Sequence, residues 1–235
     1  MKLLVLAGGF GTRLKSVVTD VPKALAPIGD VSFLHLQLAQ WRHQGLQDFV
    51  FLLHHQANLI IDFINCEKYG VLKNCKVQWI IEPIPMGTGG ALAHAINQLD
   101  ITGDFLTTNA DTWLGSGIQE VWLKAAPAMA VVKVADASRY GRVEFDNNNT
   151  VTAFHEKSSI GGNGWINAGL GHFHSDLFSD WNHQPFSLEK NKISQWTNAG
   201  ILKAVKLESE FIDIGIPEDY YRLCSWINSE KVGIL

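Results

Sequence analysis

The sequence predicts an α/β chain: a mostly parallel sheet flanked by helices, with a small insertion of antiparallel strands that caps the sheet and completes a pocket. Three observations predict it. Short apolar runs alternate with helix-spaced apolar patterns through the first half of the chain. The first run, residues 2–7, passes directly into a glycine-rich loop. After about Asp136 the pattern changes to short strands separated by polar turns. Alternation of strand and helix implies parallel strands with helices on both faces.

The elements follow in order. Strands are expected at residues 3–7, 48–53, 77–81, 105–108 and 129–134. Helices are expected at 33–44, 58–65 and 90–98, and Leu34, Leu38 and Trp41 give the first of them an apolar face at helical spacing. Residues 142–146 and 151–155, joined by three asparagines, read as a hairpin with a polar turn. Residues 165–173 and 202–206 are strand-like, and a short strand ends at Ile212-Asp213-Ile214-Gly215. Pro217 then opens a closing helix over 218–227.

At 235 residues the chain fits one α/β domain, and 46% hydrophobic residues suffice for a large core. A net charge of -4 and a pI near 6.1 argue against a nucleic-acid or membrane-surface binder. No apolar stretch approaches a membrane span, and the first residues do not form a secretory signal. Three irregularly spaced cysteines suggest neither a disulfide framework nor a zinc site, so a cytoplasmic location is expected.

The first loop organises the rest. Leu6-Ala7-Gly8-Gly9-Phe10-Gly11-Thr12-Arg13-Leu14 sets three glycines, a hydroxyl and a guanidinium after a buried strand. Bare backbone N–H groups in such a loop form an anion-binding concavity. From Gly8 to Lys23 the charges are Arg13, Lys15, Lys23 and one acid, Asp20, an excess of positive charge in an acidic chain. This suits a nucleoside triphosphate. The loop is not a Walker A motif, since no Lys-Ser/Thr follows the glycines. A dinucleotide fold would place an acid after the second strand to hold a ribose; here His54 and His55 stand there.

A second glycine-rich stretch runs from Glu82 through Met86-Gly87-Thr88-Gly89-Gly90 and also sits at a strand-to-helix junction. Glu82 can accept hydrogen bonds from ring N–H and amine donors of a base. The competing reading is a helix start whose glycines serve tight packing. Asp111 follows an apolar strand in Thr107-Thr108-Asn109-Ala110-Asp111, and Asp213 ends another far along the chain. Two carboxylates at one sheet edge beside phosphate loops make a hard oxygen site suited to Mg²⁺.

At these residues the chain resembles the sugar-1-phosphate nucleotidyltransferases. The resemblance rests on the first loop with Pro22-Lys23, on residues 86–92, Asn109-Ala110-Asp111, Glu156-Lys157, Asn167-Ala168-Gly169 and residues 213–220, in order along nearly the whole chain. Within the family, the short chain and the Met-Gly-Thr-Gly-Gly-Ala segment look most like the heptose 1-phosphate guanylyltransferases. The resemblance implies a Rossmann-like nucleotide-diphospho-sugar transferase fold and a Mg²⁺-dependent exchange in which a sugar 1-phosphate attacks the α-phosphate of GTP, or of UTP or dTTP, and releases pyrophosphate. By position, Leu6, Ala7, Gly8, Gly9, Gly11, Thr12 and Arg13 would hold the triphosphate. Lys23 would stabilise charge at the α-phosphate, and Glu82, Gly87 and Thr88 would face base and ribose. Asp111 and Asp213 would bind Mg²⁺. Asn109, Gly141, Glu156, Asn167 and Gly169 would surround the sugar, and Lys157 its phosphate. Residues 1–135 would then form the nucleotide part, 136–210 mainly the sugar part, and 211–235 the second metal ligand and closing helix of a single domain, with a homodimer as a possible assembly. Ala24, Ala110, Ser158 and Ile216 depart from common family forms without replacing functional residues.

The alternatives are a uridylyl- or thymidylyltransferase acting on a hexose or amino-sugar 1-phosphate, and a non-catalytic nucleotide-sugar sensor. His172 and His174 are read as packing or sugar contacts, most tryptophans as core, Trp113 and Trp165 as residues that could stack on a sugar or base, and residues 189–192 as a solvated helix face.

Overall fold

The structure is a computed structural model that describes residues 1–156 and 161–230. Its elements in chain order are β1 (Lys2–Leu6), β2 (Pro27–Ile28), β3 (Val31–Ser32), α1 (Phe33–His43), β4 (Asp48–Leu53), α2 (Ala57–Glu67), β5 (Lys76–Ile81) and α3 (Gly87–Gln98). Then come β6 (Asp104–Asn109), β7 (Thr112–Leu114), α4 (Ile118–Trp122), β8 (Ala128–Val134), β9 (Arg142–Phe145), β10 (Val151–His155) and β11 (Gly164–His174). A wide helical turn at Leu188–Ile193 leads into α5 (Ser194–Asn198), followed by β12 (Lys203–Leu207), β13 (Phe211–Asp213) and α6 (Pro217–Glu230).

The sheet grows from a parallel centre ordered β6-β1-β4-β5. The chain moves outward from β1 through β4 to β5, then crosses back to lay β6 on the other flank of β1. That reversal makes the carboxyl ends of β1 and β6 the switch point, where successive loops diverge and leave a crevice. The antiparallel strands continue the same sheet: β11 pairs with β6, β8 and β9, and β10 lies outermost beyond β9.

Alternating residues send opposite strand faces into two cores. Leu3 and Val5 of β1, with Phe49, Phe51 and Leu53 of β4, pack against Leu34, Leu38 and Trp41 of α1 and Ile60 and Ile64 of α2. Leu4, Val50 and Leu52 point the other way, toward Ala91 and Leu92 of α3 and a cluster around Phe105, Phe173 and Trp196. A third, smaller core joins Leu14, Phe33, Trp113, Ile212, Ile214 and Tyr220. Each of Leu14, Trp113, Ile212 and Ile214 stands within two positions of Arg13, Asp111 or Asp213. Burial of these apolar neighbours therefore anchors the charged residues between them.

Candidate active site

Asp111 stands between β6 and β7, and Asp213 closes β13. The antiparallel pairing of β7 with β13 sets Asp213 against Thr112, and the N–H of Ile214 donates to the Asp111 carbonyl at 3.0 Å. Two carboxylates remote in sequence are thereby fixed side by side. Lys23 Nζ donates to Asp111 Oδ2 at 2.7 Å and reaches Asp213 Oδ1 at 3.5 Å. Thr112 Oγ1 donates to the other Asp111 oxygen at 3.2 Å, and the N–H of Gly215 to Asp213 Oδ1 at 2.8 Å. Burial first, then the Asp111 carboxylate, pushes the Asp213 carboxyl above the usual carboxylate range, against the pull of Lys23.

The first loop leaves β1 with its last strand-like bond from the N–H of Ala7 to the Leu52 carbonyl at 2.9 Å. Gly11 turns it with φ +60°, a conformation open to glycine without steric cost. Lys23 sits on a short 3₁₀ turn, Lys23–Leu25. The Arg13 side chain is exposed at the cleft and forms no ion pair among the described residues.

Glu82 directly follows β5, and its N–H donates to the Leu53 carbonyl at 2.7 Å. It is 7% exposed. Its Oε2 accepts the N–H of Met86 at 2.7 Å, while Oε1 points toward Gly8, where a Cβ would lie 2.8 Å away. Burial pushes the carboxyl up, opposed by the Met86 N–H and by His54.

Helix α3 starts at Gly87, three residues earlier than expected, and its glycines have a packing role. The N–H groups of Gly89 and Gly90 both donate to the Phe186 carbonyl at 3.1 Å, and the Phe186 ring lies where a Cβ on Gly89 would stand. Gly87 and Thr88 remain at the cleft. Thr88 Oγ1 donates to Glu189 Oε2 at 2.6 Å, and the Ser187 hydroxyl to the same oxygen at 2.8 Å.

The opposite wall comes from β9–β11. A register shift in the pairing of β11 with β8 breaks the regular ladder between Asn167 and Gly171. Gly169 takes φ +79° there, and its N–H donates to Asn167 Oδ1 at 2.9 Å. Glu156 follows β10; its Oε2 is buried without a hydrogen-bond partner among the described residues, with Lys190 Nζ 4.0 Å away.

The expected site residues within the described range line one cleft of about 590 Å³ and a smaller one of about 170 Å³ under the first loop. Leu6, Gly8, Gly9, Arg13, Lys23 and Glu82 line the large cleft together with Gly87, Thr88, Asn109 and Asp111. Gly141, Glu156, Asn167, Gly169 and Asp213 complete that set. Ala7, Gly11 and Thr12 line the small cavity, which shares Arg13, Lys23 and Asp111 with the large one. Lys157 lies outside the described residues.

The structure corrects two sequence readings, that of residues 189–192 and that of Trp113 and Trp165, and adds residues. Residues 189–192 are a solvated face only in part: Lys190 and Asn191 are exposed, but Glu189 and Lys190 line the cleft, and Lys192 is buried with its ammonium 2.5 Å from Asp180. Arg139 and Tyr140 also line it, and Arg139 is held by Asp219 of α6 at 2.7 Å. Their position just before the strand-like 142–146 was the only available sign. Trp113 packs on Trp226 and Trp165 on Phe145, away from the cleft. His172 is buried, bonded through Nδ1 to the Lys124 carbonyl at 2.7 Å and packed at a tilt against Trp122, while His174 Nδ1 accepts the N–H of Asp176. Among the described residues no helix is long and apolar enough to cross a membrane.

The nucleotidyl transferase family model matches residues 2–229. The chain belongs to the nucleotidyl transferase family. Among family members, it is 31% identical over 223 residues to the D-glycero-alpha-D-manno-heptose 1-phosphate guanylyltransferase of Campylobacter jejuni subsp. jejuni, covering 94% of this chain and 97% of that one. It is also 31% identical to the probable mannose-1-phosphate guanylyltransferase 1 of Oryza sativa subsp. japonica, over 94% of this chain and 63% of the relative. Crystal structures of HddC from Yersinia pseudotuberculosis, one of them complexed with GMP-PN, superpose with a TM-score of 0.83 at 35% identity, over 96% of this chain and 99% of HddC. These likenesses run over nearly the whole of this chain.

Proposed function

We propose that this nucleotidyl transferase moves a guanylyl group from GTP to heptose 1-phosphate, making GDP-heptose and pyrophosphate in the cytoplasm. One observation carries the reading: residues expected for both substrates converge on a single cleft at the carboxyl ends of β1 and β6. The similarity to heptose and mannose 1-phosphate guanylyltransferases supports the choice of base and sugar.

A sugar phosphate is already a competent nucleophile near neutral pH, so the chain needs no covalent residue. Its phosphate oxygen bonds to the α-phosphorus of GTP as the bond to the β-phosphate oxygen breaks, and pyrophosphate leaves with that electron pair. The chain supplies position and fixed charge. Loop N–H groups and Arg13 hold the triphosphate, Lys23 faces the transferring α-phosphate, Glu82 accepts from the base, and Glu156 and Asn167 accept from sugar hydroxyls.

Asp111 and Asp213 fit a Mg²⁺ ion: both are hard oxygen donors, and both already reach one ammonium group. Such an ion would neutralise triphosphate charge and orient the phosphates.

Pyrophosphate release measured with Mg²⁺ across GTP, UTP, dTTP and CTP against heptose, mannose and glucose 1-phosphates tests the reading. GTP with heptose 1-phosphate is expected to turn over fastest. Turnover confined to UTP or dTTP removes the guanylyl assignment. Tight nucleotide binding with no turnover for any pair removes the enzyme.

A further inference from the structure

Helix α1 carries one polar residue on its buried face. Gln37 stands between Leu34 and Trp41 and is 1% exposed. Its Nε2 donates to the Asn109 carbonyl at 3.2 Å and to the Thr112 carbonyl at 2.9 Å. Those two carbonyls bracket Ala110 and Asp111, the turn between β6 and β7. Both amide protons are used, while Oε1 is buried and finds no partner among the described residues. A buried unpaired oxygen is destabilising, and an apolar residue at the same helix position would avoid that cost. The amide must serve the turn it holds.

The turn is tied from two other directions. The N–H of Ala110 donates to the Leu6 carbonyl and that of Ile214 to the Asp111 carbonyl, each at 3.0 Å. These bonds fix the turn to β1 and β13 through backbone groups. Gln37 adds a side-chain bridge across the whole turn from a rigid helix, leaving the Asp111 peptide little freedom to rotate. We infer that Gln37 is a positioning residue for Asp111, setting the carboxylate where it meets Lys23 and a divalent cation. The inference rests on the proposed role of Asp111 as a metal ligand.

Gln37→Met, close in volume and unbranched, removes both donors and the unpaired oxygen; Gln37→Leu does the same if methionine packs poorly. Mn²⁺ is titrated calorimetrically into protein holding a non-hydrolysable GTP analogue, beside steady-state kinetics. The expected result is Mn²⁺ binding weakened about tenfold, kcat lowered roughly ten- to hundredfold, and KM for GTP within about twofold of wild type, in a chain that melts normally. In an Asp111→Asn background the same substitution should weaken Mn²⁺ binding and kcat no further, because the residue acts through that carboxylate. Unchanged Mn²⁺ affinity in the folded variants, or a second loss of equal size in the Asp111→Asn background, overturns the inference. The Mn²⁺ titration does not depend on turnover. Failure of the wild type to turn over any substrate pair would count against the proposed reaction and leave the reading of Gln37 separate.

Discussion

The ammonium of Lys23 lies 2.7 Å from the Asp111 carboxylate. Asp213 is the next nearest anion at 3.5 Å, so one cation bridges two strand-end carboxylates. The Lys23 side chain is 12% exposed and the Asp111 side chain 38%, so the ammonium is held in place while solvent partly screens the pair. A triphosphate entering beside the first loop offers this ammonium a third anionic partner. Lys23→Met is accordingly expected to lower kcat about a hundredfold or more, with a smaller loss of GTP affinity. Pyrophosphate release and equilibrium nucleotide binding measure the two quantities separately. Near-normal turnover would place Lys23 outside the reaction.

Glu82 supplies the pH prediction. Burial raises its carboxyl above the ordinary value, so the folded chain holds the proton more tightly than the unfolded chain does. The associated stability is present in full below the unfolded value, about 4.3, and is lost as pH rises through the raised folded value. Glu82→Gln keeps an oxygen for the Met86 N–H but has no proton to lose. Its melting temperature is expected to gain on wild type as pH rises from about 4 across that window, and to hold the gain above it. The same substitution removes an ionised acceptor, and GTP binding is expected to weaken about tenfold, more than UTP binding. A melting-temperature difference independent of pH would show that Glu82 ionises freely in the fold.

The parallel centre was legible because four-to-six-residue apolar runs and helix-spaced stripes are local signals, and Asp111 was found because it follows such a run. What joins Asp111 to Asp213 was not legible. Thr112–Leu114 and Phe211–Asp213 are three residues each, too short to show a strand period, and their pairing is encoded by no local feature. Gln37 was hidden for a related reason: within an amphipathic stripe, one polar residue reads as an interruption until the carbonyls it meets are known. Glu189 and Lys192 misled because charge alone predicts solvent, as it does correctly for the exposed Lys190 and Asn191 between them. The Phe186 contact with the α3 glycines draws Glu189 and Lys190 to the cleft, and Asp180 satisfies the buried Lys192.

Glu156 tests the sugar side. Its buried Oε2 lacks a hydrogen-bond partner among the described residues, and the Lys190 ammonium at 4.0 Å offers charge without a bond. Buried acceptors are nearly always satisfied, and a sugar hydroxyl in the cleft would satisfy this one. Glu156→Gln should raise KM for the sugar 1-phosphate roughly tenfold, with KM for GTP within about twofold. An equal rise in both would assign the residue to cleft architecture.

The contact between Gly89 and Phe186 connects the two substrate sides, and it can be broken and repaired. The Phe186 carbonyl receives the N–H groups of Gly89 and Gly90 in the first turn of α3, and its ring fills the space where a Cβ on Gly89 would stand. Directly after Phe186 come Ser187, Leu188 and Glu189: Thr88 Oγ1 accepts the Leu188 N–H at 2.9 Å and donates to Glu189 Oε2 at 2.6 Å, and the Ser187 hydroxyl donates to that same oxygen at 2.8 Å. Gly89→Ala must push the ring aside, and with it the turn that presents Glu189 and Lys190. Overpacking of this kind costs about 1–3 kcal/mol, and a urea melt should show a midpoint lowered accordingly. Because the displaced turn lines the cleft, KM for the sugar phosphate should rise as well. Phe186→Ala alone leaves a cavity and also destabilises. Combined with Gly89→Ala, however, it removes the atoms that clash, so the double variant should be less destabilised than the sum of the single changes by about 1 kcal/mol or more. Strict additivity would mean that the ring does not meet the helix where the structure places it, and that the α3 glycines are free to serve the nucleotide alone.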